Sequence, residues 1–97
     1  MSENVFEVID KTGRKIIMPK KQWSHLMRKH SYMIKYEEEI KATIQNPDKL
    51  IRIKTDKAYY YKNYKYLKKP NRFVFVVVKY LNNHGFVITS YLTGDIE

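Results

Sequence analysis

The chain has 97 residues, 43% of them hydrophobic, which leaves room for one modest core and predicts a single domain over residues 1–97. Cysteine is absent, which excludes disulfides and thiolate metal sites, and three histidines without metal-ligand spacing predict neither a metal nor a cofactor. The 19 Lys and Arg residues against 10 Asp and Glu give a formal net charge of +9, which favours a polyanionic partner.

Two features of the chain bear on its compartment. The longest apolar run, residues 73–78, is too short to cross a bilayer, so no membrane partner is expected. The N-terminus carries no basic segment followed by an apolar one, which predicts no secretion signal. We therefore expect a cytoplasmic protein.

The N-terminal part of the chain predicts a hairpin and then one or two helices. Two short strands flank a turn in which Gly13 is free to take a positive φ. Pro19 suits the first position of a helix, where its missing N–H costs nothing. A second helical segment passes through residues 36–44 and ends before Pro47, since a residue before proline avoids helical geometry. The apolar stripe of the first helix is Trp23, Leu26, Met27, His30 and Ile34.

From Leu50 onward the residue pattern is typical of strands. Residues 73–80 are nearly all β-branched or aromatic, which predicts a central strand buried on both faces. The expected fold is therefore α+β, with the N-terminal hairpin and one or two helices packed on a four-stranded antiparallel meander sheet. Its four strands are expected at residues 50–54, 58–67, 73–80 and 86–93.

A basic and aromatic segment lies at residues 49–72, which hold nine Lys or Arg residues, one acidic residue and five of the nine tyrosines. Basic groups bind phosphates and aromatic faces stack on unpaired bases, so the segment predicts RNA as the partner. Strand alternation predicts that Arg52 and Lys54 share one face. The RNA-binding residues expected on these grounds are Arg52, Lys54, Lys79, Tyr60 and Tyr64.

Two histidines on the first predicted helix and hydroxyl groups of the last strand supply what metal-free RNA cleavage requires. Histidine suits proton transfer because its ordinary pKa, about 6.5, lies near the working pH. Thr89 and Tyr91 share a strand face, and their hydroxyls can donate to a phosphate oxygen. Lysine balances the phosphate charge, and Lys62 is expected to share a face with Tyr60 and Tyr64. The catalytic residues expected are His30, His25, Thr89, Tyr91 and Lys62.

Each of these residues also has an ordinary structural interpretation. His30 falls on the apolar stripe, where packed core residues lie, and Thr89 fits the polar outer face of a sheet. Lys79 is the one charge within the apolar strand, but a simple hairpin pairs Val78 with Thr89 and puts Lys79 on the opposite face. A bulge at Gly85 would reverse this placement, and both registers remain open.

Several short segments, spread over residues 15–93, have the order and spacing of segments found in a known protein family. They are Trp23-x-His25-Leu26 with His30, Ile44-x-Asn46-Pro47-Asp48, Val76-Val77-Val78-Lys79 and Val87-Ile88-Thr89-Ser90-Tyr91. In these segments the chain resembles the phage- and toxin-associated ribonuclease domains of the barnase–EndoU–colicin–RelE superfamily. The resemblance implies a metal-independent endoribonuclease that uses a helical histidine, basic sheet residues and a late Ser, Thr or Tyr. Two departures are Ser31-Tyr32, in place of a proline and an acidic residue, and Ser90, where alanine is common.

The expected function is a metal-independent endoribonuclease that cleaves RNA by 2′-OH attack to a 2′,3′-cyclic phosphate. The resemblance further implies a toxin of a toxin–antitoxin or phage-encoded system, with an acidic antitoxin protein as a second partner. Two alternatives remain open. One is a non-catalytic RNA-binding module with a Lys/Tyr sheet surface, and the other is a basic protein-interaction domain that binds an acidic partner.

Overall fold

The computed structural model describes residues 4–96, which form an α+β fold with a six-stranded mixed sheet and two α-helices. A short 3-10 segment, Ser31–Tyr36, lies between the two helices. The helices are α1 (Lys20–Lys29) and α2 (Glu37–Gln45). The strands are β1 (Asn4–Ile9), β2 (Lys15–Pro19), β3 (Lys49–Lys54), β4 (Lys57–Asn63), β5 (Phe73–Leu81) and β6 (His84–Thr93).

The prediction of a four-stranded antiparallel meander with a separate hairpin is wrong. The strand order is β1-β2-β6-β5-β4-β3, so the hairpin extends the sheet to six strands. β2 pairs parallel to β6 through Lys15–His84, Ile16–Gly85 and Ile17–Phe86. Parallel neighbours need a long crossover, here everything between β2 and β6, and periodicity within each strand carries no signal for such a partner.

The end of α1 breaks the predicted apolar stripe. The helix stops at Lys29, and the 3-10 segment that follows advances each residue by about 120° rather than 100°. The phase of the stripe therefore shifts. Met33 is fully buried, whereas Ile34, predicted on the stripe, is 64% exposed.

The two faces of the sheet have different surroundings. On the helix-covered face, side chains such as Tyr60, Val76 and Val87 form the main core with Leu26 of α1 and Ile40 of α2. The opposite face, called the open face below, holds a second cluster on β4 and β5 that no helix of the described chain covers. The buried members of that cluster are Tyr61, Phe75 and Val77.

A buried carboxylate holds the helix-covered face together. Asp10 follows β1 and is 4% exposed. The hydroxyls of Tyr60 and Tyr80 donate to its Oδ2 at 3.0 and 2.6 Å, and Thr12 and Arg14 donate backbone N–H groups to Oδ1. Burial alone would raise the pKa of Asp10, but these hydrogen bonds together lower it below its usual value. Burial, together with its hydrogen bond to the Asp10 carboxylate, raises the pKa of Tyr80 to about 12.

Candidate active site

A cavity of about 450 Å³ lies between α1 and the last strand. β2 pairs with β6 only as far as Phe86, and Pro19 then directs the chain into α1. The helix therefore runs beside β6 beyond the point where β2 leaves it, and Gln22 Nε2 donates to the Ile88 carbonyl at 3.4 Å. We call this space the histidine cavity. Its lining is Lys21, Gln22, His25, Arg28, Lys29, His30, Ile88, Thr89 and Tyr91.

Both predicted histidines line the histidine cavity. His25 is exposed, whereas His30 is half-buried at the C-terminal cap of α1, where its backbone N–H donates to the Leu26 carbonyl at 2.7 Å. The His30 ring lies 5.3 Å from the ring of Tyr91 and 5.9 Å from that of Tyr32, centre to centre. The two aromatic rings therefore hold the imidazole at the mouth of the cavity.

A bulge in β6 decides which hydroxyls reach this site. Val78 pairs with Val87 but Val77 pairs with Thr89, which leaves Ile88 as the extra residue. Thr89 and Tyr91 therefore lie on the open face, next to α1, and Tyr91 packs against Phe75 at 4.8 Å between ring centres. A bulge at Gly85 was one of the two alternatives left open by the sequence, and the structure has a bulge of the same effect at Ile88 instead.

The cavity is basic because three cationic side chains of α1 line it. None of the three was among the site residues predicted from the sequence. Lys21, Arg28 and Lys29 line it together with His25. They stand at positions i, i+7 and i+8 from Lys21, with His25 at i+4, which is the spacing of one helix face. That spacing was readable in the sequence, and it would have predicted three cations beside the exposed histidine.

A second depression adjoins the histidine cavity on the open face. It measures about 290 Å³, and it shares Thr89 and Tyr91 with the cavity. Its floor is aromatic: the rings of Tyr59 and Tyr61 each lie 4.9 Å from that of Phe75. We call it the aromatic groove, and its lining is Tyr59, Tyr61, Phe75, Val77, Thr89, Tyr91, Thr93 and Asp95.

Other predicted residues lie on the helix-covered face, away from the cavity. Lys62 donates from Nζ to the Asn46 carbonyl at 2.9 Å and lies 3.9 Å from the Asp48 carboxylate, so it ties β4 to the loop after α2. Tyr60 is 0% exposed. Tyr64 donates its hydroxyl to the Glu39 carbonyl at 3.0 Å, and burial raises its pKa.

Arg52 and Lys54 do not share a strand face, contrary to the prediction. Arg52 pairs with Ala58 but Lys54 pairs with Lys57, so a bulge at Ile53 shifts the alternation. Arg52 turns to the helix-covered face, where its guanidinium lies 5.8 Å from the centre of the Tyr80 ring. Lys54 turns to the open face.

Lys79 lies on the open face as well, between Val77 and the end of β5. It therefore shares a face with Thr89, which is the register that the sequence left open. Ser90, on the other side of β6, is fully buried and donates its hydroxyl to the Phe75 carbonyl at 2.7 Å. Its polarity is therefore satisfied within the sheet.

Comparisons with protein-family models, with curated proteins and with solved structures found no match. The resemblance to the ribonuclease superfamily therefore stays a prediction. Within residues 4–96, no helix is long and apolar enough to span a membrane. Over the same residues, no group of three or more His, Asp or Glu side chains is placed to hold a metal ion.

Proposed function

We propose that the chain is a cytoplasmic, metal-independent endoribonuclease whose active site is the histidine cavity. One observation carries the proposal. Four residues expected to act in catalysis, from chain segments about 60 positions apart, line the same cavity: His25, His30, Thr89 and Tyr91. The spacing in the chain makes this convergence a property of the fold rather than of local sequence.

The chemistry follows from what RNA itself supplies. One histidine removes the proton of the 2′-OH, and the 2′-oxygen then attacks the adjacent phosphorus. The bond from phosphorus to the 5′-oxygen breaks, the other histidine protonates that oxygen, and a 2′,3′-cyclic phosphate and a 5′-OH result. The reaction balances because one histidine accepts a proton from the 2′-OH and the other donates a proton to the 5′-oxygen.

The charge that develops on phosphorus in this reaction needs donors already in position. Arg28 and Lys29 line the cavity beside the histidines, and Thr89 and Tyr91, which carry hydroxyl groups, line it from β6. Arginine suits this task because its planar guanidinium donates two parallel hydrogen bonds to a phosphate. Lys62, bound to the Asn46 carbonyl on the other face, has no part in this scheme.

The proposal includes a toxin role, in which an acidic antitoxin protein neutralises the enzyme. The formal net charge of +9 and the cations of the cavity favour an acidic inhibitor that competes with RNA for the same surface. Such an inhibitor would bind with strong salt dependence.

The test is an incubation of a mixed-sequence single-stranded RNA with the purified protein in excess EDTA. We expect cleavage, with products that carry a 2′,3′-cyclic phosphate by mass spectrometry. The matched control is His84→Ala, since His84 is exposed in the β5–β6 hairpin and does not line the cavity. Absence of product, or product only after magnesium is added, would overturn the proposal. Tight RNA binding without product would instead favour a non-catalytic RNA-binding module.

A further inference from the structure

Three lysines lie in one row across the open face. Lys54 of β3 pairs with Lys57 of β4, and Lys57 pairs with Lys79 of β5. We call them the lysine row. The next row of the same face, one step along the strands, contains Tyr59, Val77 and Thr89. The lysine row therefore borders the end of the aromatic groove.

The lysine row brings three like charges together on neighbouring strands. Like charges directly opposite each other on a sheet are destabilising. The ion pairs within residues 4–96 use Lys15, Lys41 and Lys62, and none of them includes a member of the row. Asp56, in the turn between β3 and β4, forms no ion pair with them among the described residues. An anion from outside the chain would offset this repulsion.

The aromatic groove connects the lysine row to the histidine cavity. Thr89 and Tyr91 border both the cavity and the groove. Tyr59, on the floor of the groove, lies two residues after Lys57 in β4, so the two side chains are neighbours on the same face of the strand. Tyr59 and Tyr91, the half-buried aromatic side chains of the groove, lie between the two basic sites and fit the bases of an unpaired strand, with its phosphates at either end.

We propose that the lysine row is a second phosphate-binding subsite, which holds an RNA strand that runs from the histidine cavity across the aromatic groove. The inference rests on the proposed function, because it takes the strand in the cavity to be RNA. It adds that the substrate is single-stranded and extends over several nucleotides, since duplex bases are stacked on each other and cannot lie on the groove.

The test uses DNA oligonucleotides, which lack the 2′-OH nucleophile and remain intact. Binding of a dinucleotide and a hexanucleotide is measured over a range of salt concentrations. The test variant carries Lys54→Gln, Lys57→Gln and Lys79→Gln. The matched control carries Lys11→Gln, Lys65→Gln and Lys68→Gln, three exposed lysines outside the open face with the same loss of charge. Thermal melts check that both variants fold.

For the hexanucleotide, we expect the lysine-row variant to lower the salt slope by up to about 2, at up to about 0.7 for each lost phosphate contact. The control variant should lower it much less, and the dinucleotide should not distinguish the two variants. Equal slopes for both variants, or no binding of the hexanucleotide by the unmodified chain, would overturn the subsite. Polyglutamate provides one further outcome against the subsite. The subsite would also be overturned if polyglutamate binds the unmodified chain more tightly than the hexanucleotide does, and displaces the hexanucleotide from that chain but not from the lysine-row variant.

The outcome is separable from that of the proposed function. Cleavage of RNA in EDTA together with equal slopes would retain the enzyme and remove the subsite. Absence of cleavage together with unequal slopes would remove the enzyme and retain a single-strand-binding face.

Discussion

Tyrosines lie on both faces of β4, and those on one face have a different role from those on the other. Tyr60 points into the helix-covered core, where its hydroxyl is bound to Asp10. Tyr59, its neighbour in the chain, points to the open face and lines the aromatic groove. A tyrosine- and lysine-rich segment is therefore not itself a binding surface. Alternation divides it, and one half stabilises the fold while the other half is available to a ligand.

The largest effect is expected on the rate of RNA cleavage, at the histidine cavity beside the open face. His30→Ala should lower the rate of RNA cleavage about 10²–10⁴-fold, because a group that transfers a proton contributes to the transition state. RNA affinity should change little, since such a group adds less to ground-state binding. The measurements are cleavage rates and binding constants side by side, with thermal melts. A folded variant with the unmodified rate would assign His30 to packing against Tyr91 alone.

The variants Tyr60→Ala and Tyr59→Ala are a matched pair that compares how much each tyrosine contributes to the free energy of unfolding. Tyr60 is fully buried, so its truncation should cost about 3–5 kcal/mol of unfolding free energy. Tyr59 is half-buried on the open face, and its truncation should cost about 1 kcal/mol. Urea denaturation of both variants measures the difference. Tyr59→Ala should instead weaken oligonucleotide binding, and equal losses of stability would contradict the division of the strand.

A smaller effect concerns Asp10, whose lowered pKa makes its contribution dependent on pH. A depressed folded-state pKa means that the carboxylate stabilises the fold above its unfolded pKa, near 3.8, and that this contribution is lost as pH falls through the folded value. Asp10→Asn should therefore cost about 1–3 kcal/mol at pH 6, the scale of hydrogen bonds to a charged group.

The difference between Asp10→Asn and the unmodified chain should shrink as the pH is lowered toward 2. Chemical denaturation at the two pH values measures it, and Asp95→Asn, at an exposed position near the C-terminus, is the control. A difference that stays constant between pH 6 and pH 2 would show that shape, rather than ionisation, sets the role of Asp10.

Part of the fold and of the site was readable from the sequence. The central position of β5 followed from its β-branched and aromatic run, and the end of α2 followed from Pro47. The shared strand face of Thr89 and Tyr91 followed from alternation. These features depend on local composition, to which a single chain gives direct access.

The rest depended on one-residue shifts and on distant pairing. Bulges at Ile53 and Ile88 each reverse the face of the residues beyond them, and neither position carries the glycine that would have marked it. The pairing of β2 with β6 joins segments that only the complete fold brings together. The 3-10 segment likewise moved Met33, rather than Ile34, into the core.

We expect a single strand of nucleic acid to bind the open face and the histidine cavity, and not the tyrosines of the helix-covered face. An NMR titration of the ¹⁵N-labelled chain with a DNA hexanucleotide tests it most directly. We expect saturable shifts of the backbone amide signals of His30, Tyr59 and Thr89, with those of Ile40 and Lys62 nearly unchanged. Shifts that centre on Ile40 and Lys62, with His30 and Thr89 unaffected, would contradict it.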